Sequence, residues 1–353
     1  MDLSGDISFY SLTSDAWEAM YEDCRNAQSS ILYEQYIVCD DPVGRRFLAL
    51  LAEKARSGVS VTLCLDRIGA RGIYDSPEIA AIRAGGGLVI FYNDIFGRKI
   101  WTPWRWLPRN HLKLLLVDSA IAYVGGVCMA DYMASWRDLF MRAAGPYGAA
   151  ITRDYAAAIR KKGVALAGPP EDDTLFHYVV SDPRLRGNPI YRALLRAIHG
   201  ARTEIEIVTP YFMPPRRLSK ALLRAAARGV RVRVVVSGQD VPLVYYTSLT
   251  YLPRLIRRGI RFHAYRDTVC HAKYAIIDGE WAMLGSMNLD YLSLIHNREG
   301  NLVTTVPCVI GPMRSVFAQT VAAAEALQED FLKDVPLRYR LLGYIGRPFR
   351  KLM

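Results

Sequence analysis

The 353-residue chain has no uncharged apolar run of the roughly 18 to 20 residues that a membrane-spanning helix needs. Its start, MDLSGDISFY, lacks the basic-then-apolar pattern of an export signal, so neither a helical span nor Sec export is expected. Cysteine is scarce and scattered. The six (Cys24, Cys39, Cys64, Cys128, Cys270, Cys308) show no CxxC pair and no zinc-ligand spacing, and they read as small buried hydrophobes in a reducing compartment. Lysine is scarce too, 9 residues against 36 arginines. Arginine suits bidentate phosphate contacts, but a GC-rich genome yields the same bias and is the first explanation.

A hydrophobic fraction of 51% beside 22% charged residues excludes wholesale disorder. The length fits two domains or one duplicated unit. The net charge of +11 points to an anionic partner. Composition alone does not separate nucleic acid from an acidic membrane surface.

The chain contains one supersecondary unit twice. Residues 31–66 run ILYEQYIV, then FLALLAEKARSG ending at Gly58, then VSVTLCLD; residues 205–237 run IEIVTPYF, then LSKALLRAAARG ending at Gly229, then VRVRVVVS. Each reads as strand, amphipathic helix closed by glycine, and parallel strand, a βαβ unit. Downstream, HLKLLLVD (His111 to Asp118) followed by Gly125 matches HAKYAIID (His271 to Asp278) followed by Gly285, at one offset throughout. From glycine to histidine the first half spends 111 − 58 = 53 residues and the second 271 − 229 = 42. An insertion is therefore expected before His111, in NDIFGRKIWTPWRWLPRN. The halves are expected at residues 1–165 and 174–330, joined by the linker AGPPEDD and followed by a basic amphipathic tail at 331–353.

Strand alternation puts His111 and Lys113 on one face and Leu112 and Leu114 on the other, and likewise pairs His271 with Lys273. Asp118 and Asp278 fall in turns, as turn-fixing or orienting residues. Chance would supply only about 0.01 HxKxxxxD matches in such a chain, so two in register with an independent repeat are no accident. Two-fold related halves can bring both pairs to one cleft. Two imidazoles and two ammonium groups suit a phosphodiester: one His attacks phosphorus, the other protonates the leaving oxygen, and the lysines hold the non-bridging oxygens.

The paired motifs resemble the phospholipase D superfamily over most of the chain. Within it, RNHLKLLLVD, WRDLFMRAAGP, TPYFMPP and GSMNLDYLSLIHNREGNL look like bacterial cardiolipin synthases, here a short form without N-terminal transmembrane helices. The resemblance implies an α/β fold of two pseudo-symmetric halves packed with the active site at their interface, and no metal or other cofactor. It carries over His111, Lys113, Asp118, His271, Lys273 and Asp278 as the catalytic motif, and Lys113, Lys273 and Asn288 as phosphate ligands. His111 is the expected nucleophile and His271 the general acid, although near-equivalent halves leave that order open. Asp138 and Glu299, 13 and 14 residues after Gly125 and Gly285, are expected to accept a ring N–H and orient the imidazoles, the alternative being surface carboxylates. Where the second half has Asn288 the first has Cys128, read as a tolerated core substitution.

The insertion interleaves Trp101, Trp104 and Trp106 with Arg98, Lys99, Arg105 and Arg109, a composition suited to an anionic headgroup layer or to a lid over the cleft. The tail carries Arg347 and Arg350 among apolar residues, as an interfacial anchor does. Trp101, Trp104, Trp106, Arg105, Arg347 and Arg350 are therefore the expected membrane contacts. The run of seven basic residues from Arg216 to Arg233 reads as a solvated helix face. Phospholipids, phosphatidylglycerol and phosphatidylethanolamine among them, and an anionic membrane are the expected partners. Nucleic acid is not, since no recognised module appears. The expected activity is transfer of a phosphatidyl group from phosphatidylglycerol or phosphatidylethanolamine to phosphatidylglycerol, giving cardiolipin through a phosphohistidine at the cytoplasmic face of the bacterial inner membrane, with phospholipase D hydrolysis or another phosphatidyl transfer, and then a nuclease, as alternatives.

Overall fold

The repeat folds as two copies of one α/β unit in the computed structural model, which describes residues 6–94, 106–160, 175–183, 187–237 and 240–352. The first copy runs β1 (Ile7–Leu12), α1 (Thr13–Asn26), β2 (Ser30–Gln35), α2 (Pro42–Arg56), β3 (Ser60–Asp66) and α3 (Pro77–Ala84). It continues with β4 (Leu88–Tyr92), β5 (Leu114–Val117), β6 (Ile121–Gly125), β7 (Arg137–Ala143) and α4 (Gly145–Arg160). The second runs β8 (Phe176–Ser181), α5 (Pro189–Gly200), β9 (Glu204–Thr209), α6 (Arg216–Ala227), β10 (Arg231–Val236), α7 (Pro242–Leu249) and α8 (Leu252–Ile256). It continues with β11 (Arg261–Tyr265), β12 (Tyr274–Ile277), β13 (Trp281–Gly285), β14 (Glu299–Thr304), α9 (Pro307–Ala322), β15 (Ala324–Ala326) and α10 (Leu337–Gly346).

The two sheets share one strand order, β1-β7-β6-β5-β2-β3-β4 in the first and β8-β14-β13-β12-β9-β10-β11 in the second, where β15 extends the far edge. The β2/β3 and β9/β10 pairs are parallel, as their crossover helices α2 and α6 require. Both helices are followed by a glycine in the left-handed region, Gly58 at φ 91° and Gly229 at φ 90°, which other residues rarely adopt.

Alternation along the strands divides the core in three. In β5, Leu115 and Val117 join the first half's own core, whereas Leu114 and Leu116 face the other half. In β12, Ala275 and Ile277 join the second half's core, and Tyr274 and Ile276 the shared layer. Leu112, Ala272, Leu139 and Leu302 complete that layer, flanked by Ile151 of α4 and Phe317 of α9. Each large apolar side chain buried there is worth roughly 1.5–3 kcal/mol, so the sheets are held face to face by the hydrophobic effect.

The strands begin later than the motif spacing suggests, β5 at Leu114 and β12 at Tyr274. The lead-in residues pair across to the other half instead, Asn110 bridging to Arg298 and Cys270 to Arg137. The insertion falls where expected: residues 93–110 join β4 to His111, whereas residues 266–270 join β11 to His271.

Candidate active site

The cross-half bridges place each histidine against a carboxylate of the opposite copy. The backbone N–H of His111 donates to the Arg298 carbonyl at 2.9 Å, and that of His271 to the Arg137 carbonyl at 2.7 Å. The next residue in each case is the acid. Glu299 lies 2.9 and 3.0 Å from Nδ1 of His111, and Asp138 lies 3.2 Å from Nδ1 of His271. Both carboxylates are buried, so each favours the tautomer that carries its proton on Nδ1 and leaves Nε2 facing the cleft.

The carboxylates are held differently. Ser286 Oγ donates to Glu299 at 2.5 Å. At the matching position Gly126 leaves room, since a Cβ there would stand 2.6 Å from both Asp138 oxygens. Asp138 instead accepts the Leu139 backbone N–H at 2.7 Å.

Lys113 and Lys273 are each 1% exposed, yet among the described residues neither forms an ion pair with a carboxylate. Each ammonium turns back to the carbonyl of its own histidine, Lys113 to His111 at 3.0 Å and Lys273 to His271. Burial, then the charge of Lys113, pulls Lys273 down to about 8. Burial, followed by Lys113 and Lys273, pushes His111 well below the usual imidazole range. Burial and Lys273 lower His271 as well, against the opposing pull of Asp138. Burial raises Glu299 to about 8.

A family model described as cardiolipin synthase, phospholipase D-like domain, matches residues 194–321. Cardiolipin synthase A of Pseudomonas fluorescens (strain SBW25) is 30% identical over 99% of this chain and 73% of its own length. The chain belongs to the cardiolipin synthase family. Cardiolipin synthase B of Salmonella typhi is likewise 30% identical, over 81% of this chain and 73% of its own. Family membership makes the chain a phospholipid transferase. The fold matches the crystal structure of phosphatidylserine synthase from Haemophilus influenzae Rd KW20 with a TM-score of 0.79, at 14% identity, covering 99% of this chain and 96% of that one.

In this family member the other motif residues separate into two groups. Asn288 is buried and hydrogen-bonds Asp290, with its Oδ1 lacking a hydrogen-bond partner among the described residues. Its counterpart Cys128 packs in the first half's core, where burial pushes the thiol up. Asp118 and Asp278 are not at the site. They lie at the far ends of β5 and β12, where each carboxylate ties down the start of a neighbouring strand. Asp118 accepts from the N–H groups of Gln28, Ser29 and Ser30, and Asp278 from those of Arg202, Thr203 and Glu204. This corrects their grouping with the catalytic residues: four bonds each, hydroxyls of Ser29 and Thr203 included, occupy them as turn-fixing groups.

The expected membrane contacts Trp101, Trp104 and Arg105 lie outside the described residues. Trp106 is partly exposed. Arg109 is buried rather than at the surface, paired with Asp66 at 2.6 Å. Arg347 and Arg350 lie over the Tyr251 ring at 5.0 and 5.8 Å.

Aromatic and charged neighbours complete the setting. Tyr36 meets His111 edge-on at 5.1 Å between ring centres, and Trp136 meets His271 at 5.5 Å. Behind His111, Arg298 pairs with Glu34 and donates to Asn110 Oδ1 at 3.0 Å, while Asn110 donates back to Glu34 at 3.0 Å. A cavity of about 1040 Å³ elsewhere, lined by Leu32, Cys64, Tyr155 and Arg298 among others, does not include the His/Lys pairs. A hydrophilic residue in an otherwise apolar strand, such as Glu34 in ILYEQ, was the available hint of the network.

Proposed function

We propose that the chain makes cardiolipin by phosphatidyl transfer through a phosphohistidine. One observation carries the reading: two buried ammonium groups, neither in an ion pair with a carboxylate among the described residues, act on two imidazoles that each meet a buried carboxylate. A buried cation costs several kcal/mol, roughly, unless an opposite charge joins it. A phosphodiester is the anion that nucleophile, acid and cations together suit.

Nε2 of His111 attacks the phosphorus of the donor lipid, and the P–O bond to its headgroup breaks. His271 delivers its Nε2 proton to the departing oxygen. The phosphatidyl group is then held by a P–N bond to His111. The primary hydroxyl of phosphatidylglycerol passes its proton to His271 and attacks phosphorus, the P–N bond breaks, and cardiolipin forms. Lys113, Lys273 and Asn288 hold the non-bridging oxygens, and no cofactor enters the scheme. Burial and the two ammonium charges bias His111 toward the neutral form a nucleophile needs, and the pull of Asp138 toward protonation suits His271 as the acid. Phosphatidylglycerol as donor releases glycerol; phosphatidylethanolamine releases ethanolamine.

The working place is the cytoplasmic face of the bacterial inner membrane, to which the protein is peripherally attached. Supporting this are the +11 charge, the unpaired cysteines and the lack of any described helix long and apolar enough to cross a bilayer.

Labelled phosphatidylglycerol, with and without phosphatidylethanolamine, tests the reading on the pure protein. Cardiolipin is expected without added metal or nucleotide. Phosphatidic acid as sole product would make it a hydrolase, and DNA cleavage with inert lipids would make it a nuclease.

A further inference from the structure

The tail is not a free amphipathic strand. α10 lies along α7 with its glycines inward, because a Cβ on Gly343 would stand 2.4 Å from the Tyr246 carbonyl oxygen and one on Gly346 1.9 Å from Thr247 Oγ1. Tyr339 stacks on Tyr246 at 4.5 Å between ring centres, 7° from parallel. Docking of this face turns the other one outward. That face is apolar: Leu337 is 65% exposed, Leu341 53%, Ile345 64% and Phe349 54%. They recur every four residues, one row along the helix and the short turn that follows it. A helix resting on a globular protein normally shows water its polar side.

We propose that this row is the face by which the protein sits on an anionic bilayer. The inference rests on the lipid reading above and specifies the surface that reading needs. Arg338, Arg340, Arg347, Arg350 and Lys351 surround the row, no acid follows Asp334, and none of the five is paired with a carboxylate among the described residues. Two copies of this chain meeting on that face would bring like charges together. An anionic bilayer accepts both components, apolar side chains below the headgroups and guanidinium groups among the phosphates.

The position of the row also fits a lipid enzyme. Arg350 lies over the Tyr291 ring at 5.8 Å, and Tyr291 follows Asn288-Leu289-Asp290 in the chain. The turn after α10 therefore lies beside the segment that carries Asn288.

Sedimentation of the full chain with phosphatidylcholine vesicles, with and without phosphatidylglycerol, is the test. Leu341→Glu with Ile345→Glu should lower partition onto phosphatidylglycerol vesicles about tenfold or more while leaving the melting midpoint of the outward-facing variant near that of the parent. Unchanged partition would overturn the proposal. So would light scattering that shows a dimer in the parent and a monomer in the variant with vesicle binding retained. If the double variant does not fold, Phe349→Trp serves instead. Its added fluorescence should be quenched by lipids brominated in the acyl chain; quenching by aqueous iodide alone, with vesicles bound, would overturn the assignment. The readout is partition rather than turnover, so failure to make cardiolipin would defeat the functional reading without bearing on this one.

Discussion

Glu299, in the second half, receives its hydrogen bond from His111, in the first, at 2.9 Å, and the relation is returned by Asp138 and His271. Neither half contains a histidine with its own orienting acid. Both cross-half bonds form only when the sheets pack, which ties them to the shared apolar layer of Leu112, Leu114, Tyr274 and Ile276.

Replacing these acids by their amides, which keep the shape, should cost rate more than affinity. Glu299→Gln and Asp138→Asn are each expected to lower kcat about a hundredfold or more with little change in KM. Gly126→Ala should resemble Asp138→Asn, since its Cβ would meet both Asp138 oxygens at 2.6 Å. A Gly126→Ala enzyme with full kcat would contradict the packing argument.

The histidines should be separable by leaving group. His111→Ala and His271→Ala are each expected to lose about a thousandfold or more with natural lipids. A phosphatidyl donor carrying p-nitrophenol departs without a proton, so His271→Ala should still release a burst of nitrophenol and His111→Ala should not. The opposite pattern would exchange the two roles.

Lys273 predicts an alkaline limit. Its ammonium titrates at about 8; below that pH the charge is present to attract phosphate, and above it the amine is neutral and the attraction is lost. Because kcat/KM reports the free enzyme, it should fall above about pH 8, whereas kcat should fall at higher pH once bound phosphate favours the charged form. Lys273→Arg stays charged throughout and should lack this limb. An identical limb in the arginine variant would assign it to another group.

Arg298 is the structural support of the site. Arg298→Met leaves Glu34 buried without its counter-charge and should cost about 3–5 kcal/mol in urea unfolding. The double change Glu34→Leu with Arg298→Met should recover part of that loss, and a double variant no more stable than the single one would show that the pair is not what Arg298 supports.

The local periodicities were legible because they are properties of neighbouring residues. Strand alternation aligned His111 with Lys113 and His271 with Lys273, the glycines at 58 and 229 marked the helix ends, and the constant offset announced two copies of one unit. The carboxylates stood out by position, 13 and 14 residues after Gly125 and Gly285, but not the histidine each one meets, since a pairing within a half and a pairing across halves leave the same spacing.

Packing alone decided the rest. Asp118 and Asp278 share a motif with the histidines yet sit at the other ends of short strands, where backbone N–H groups claim them. Arg109 looked like one of a surface series until Asp66 drew it inside. In the tail, composition announced an amphipathic segment, but only the close approach of Gly343 and Gly346 to α7 determined which face turned outward. A hydrogen bond or helix contact between residues far apart in the chain carries no period, and both the crossing of the two half-sites and the exposed row on α10 are of that kind.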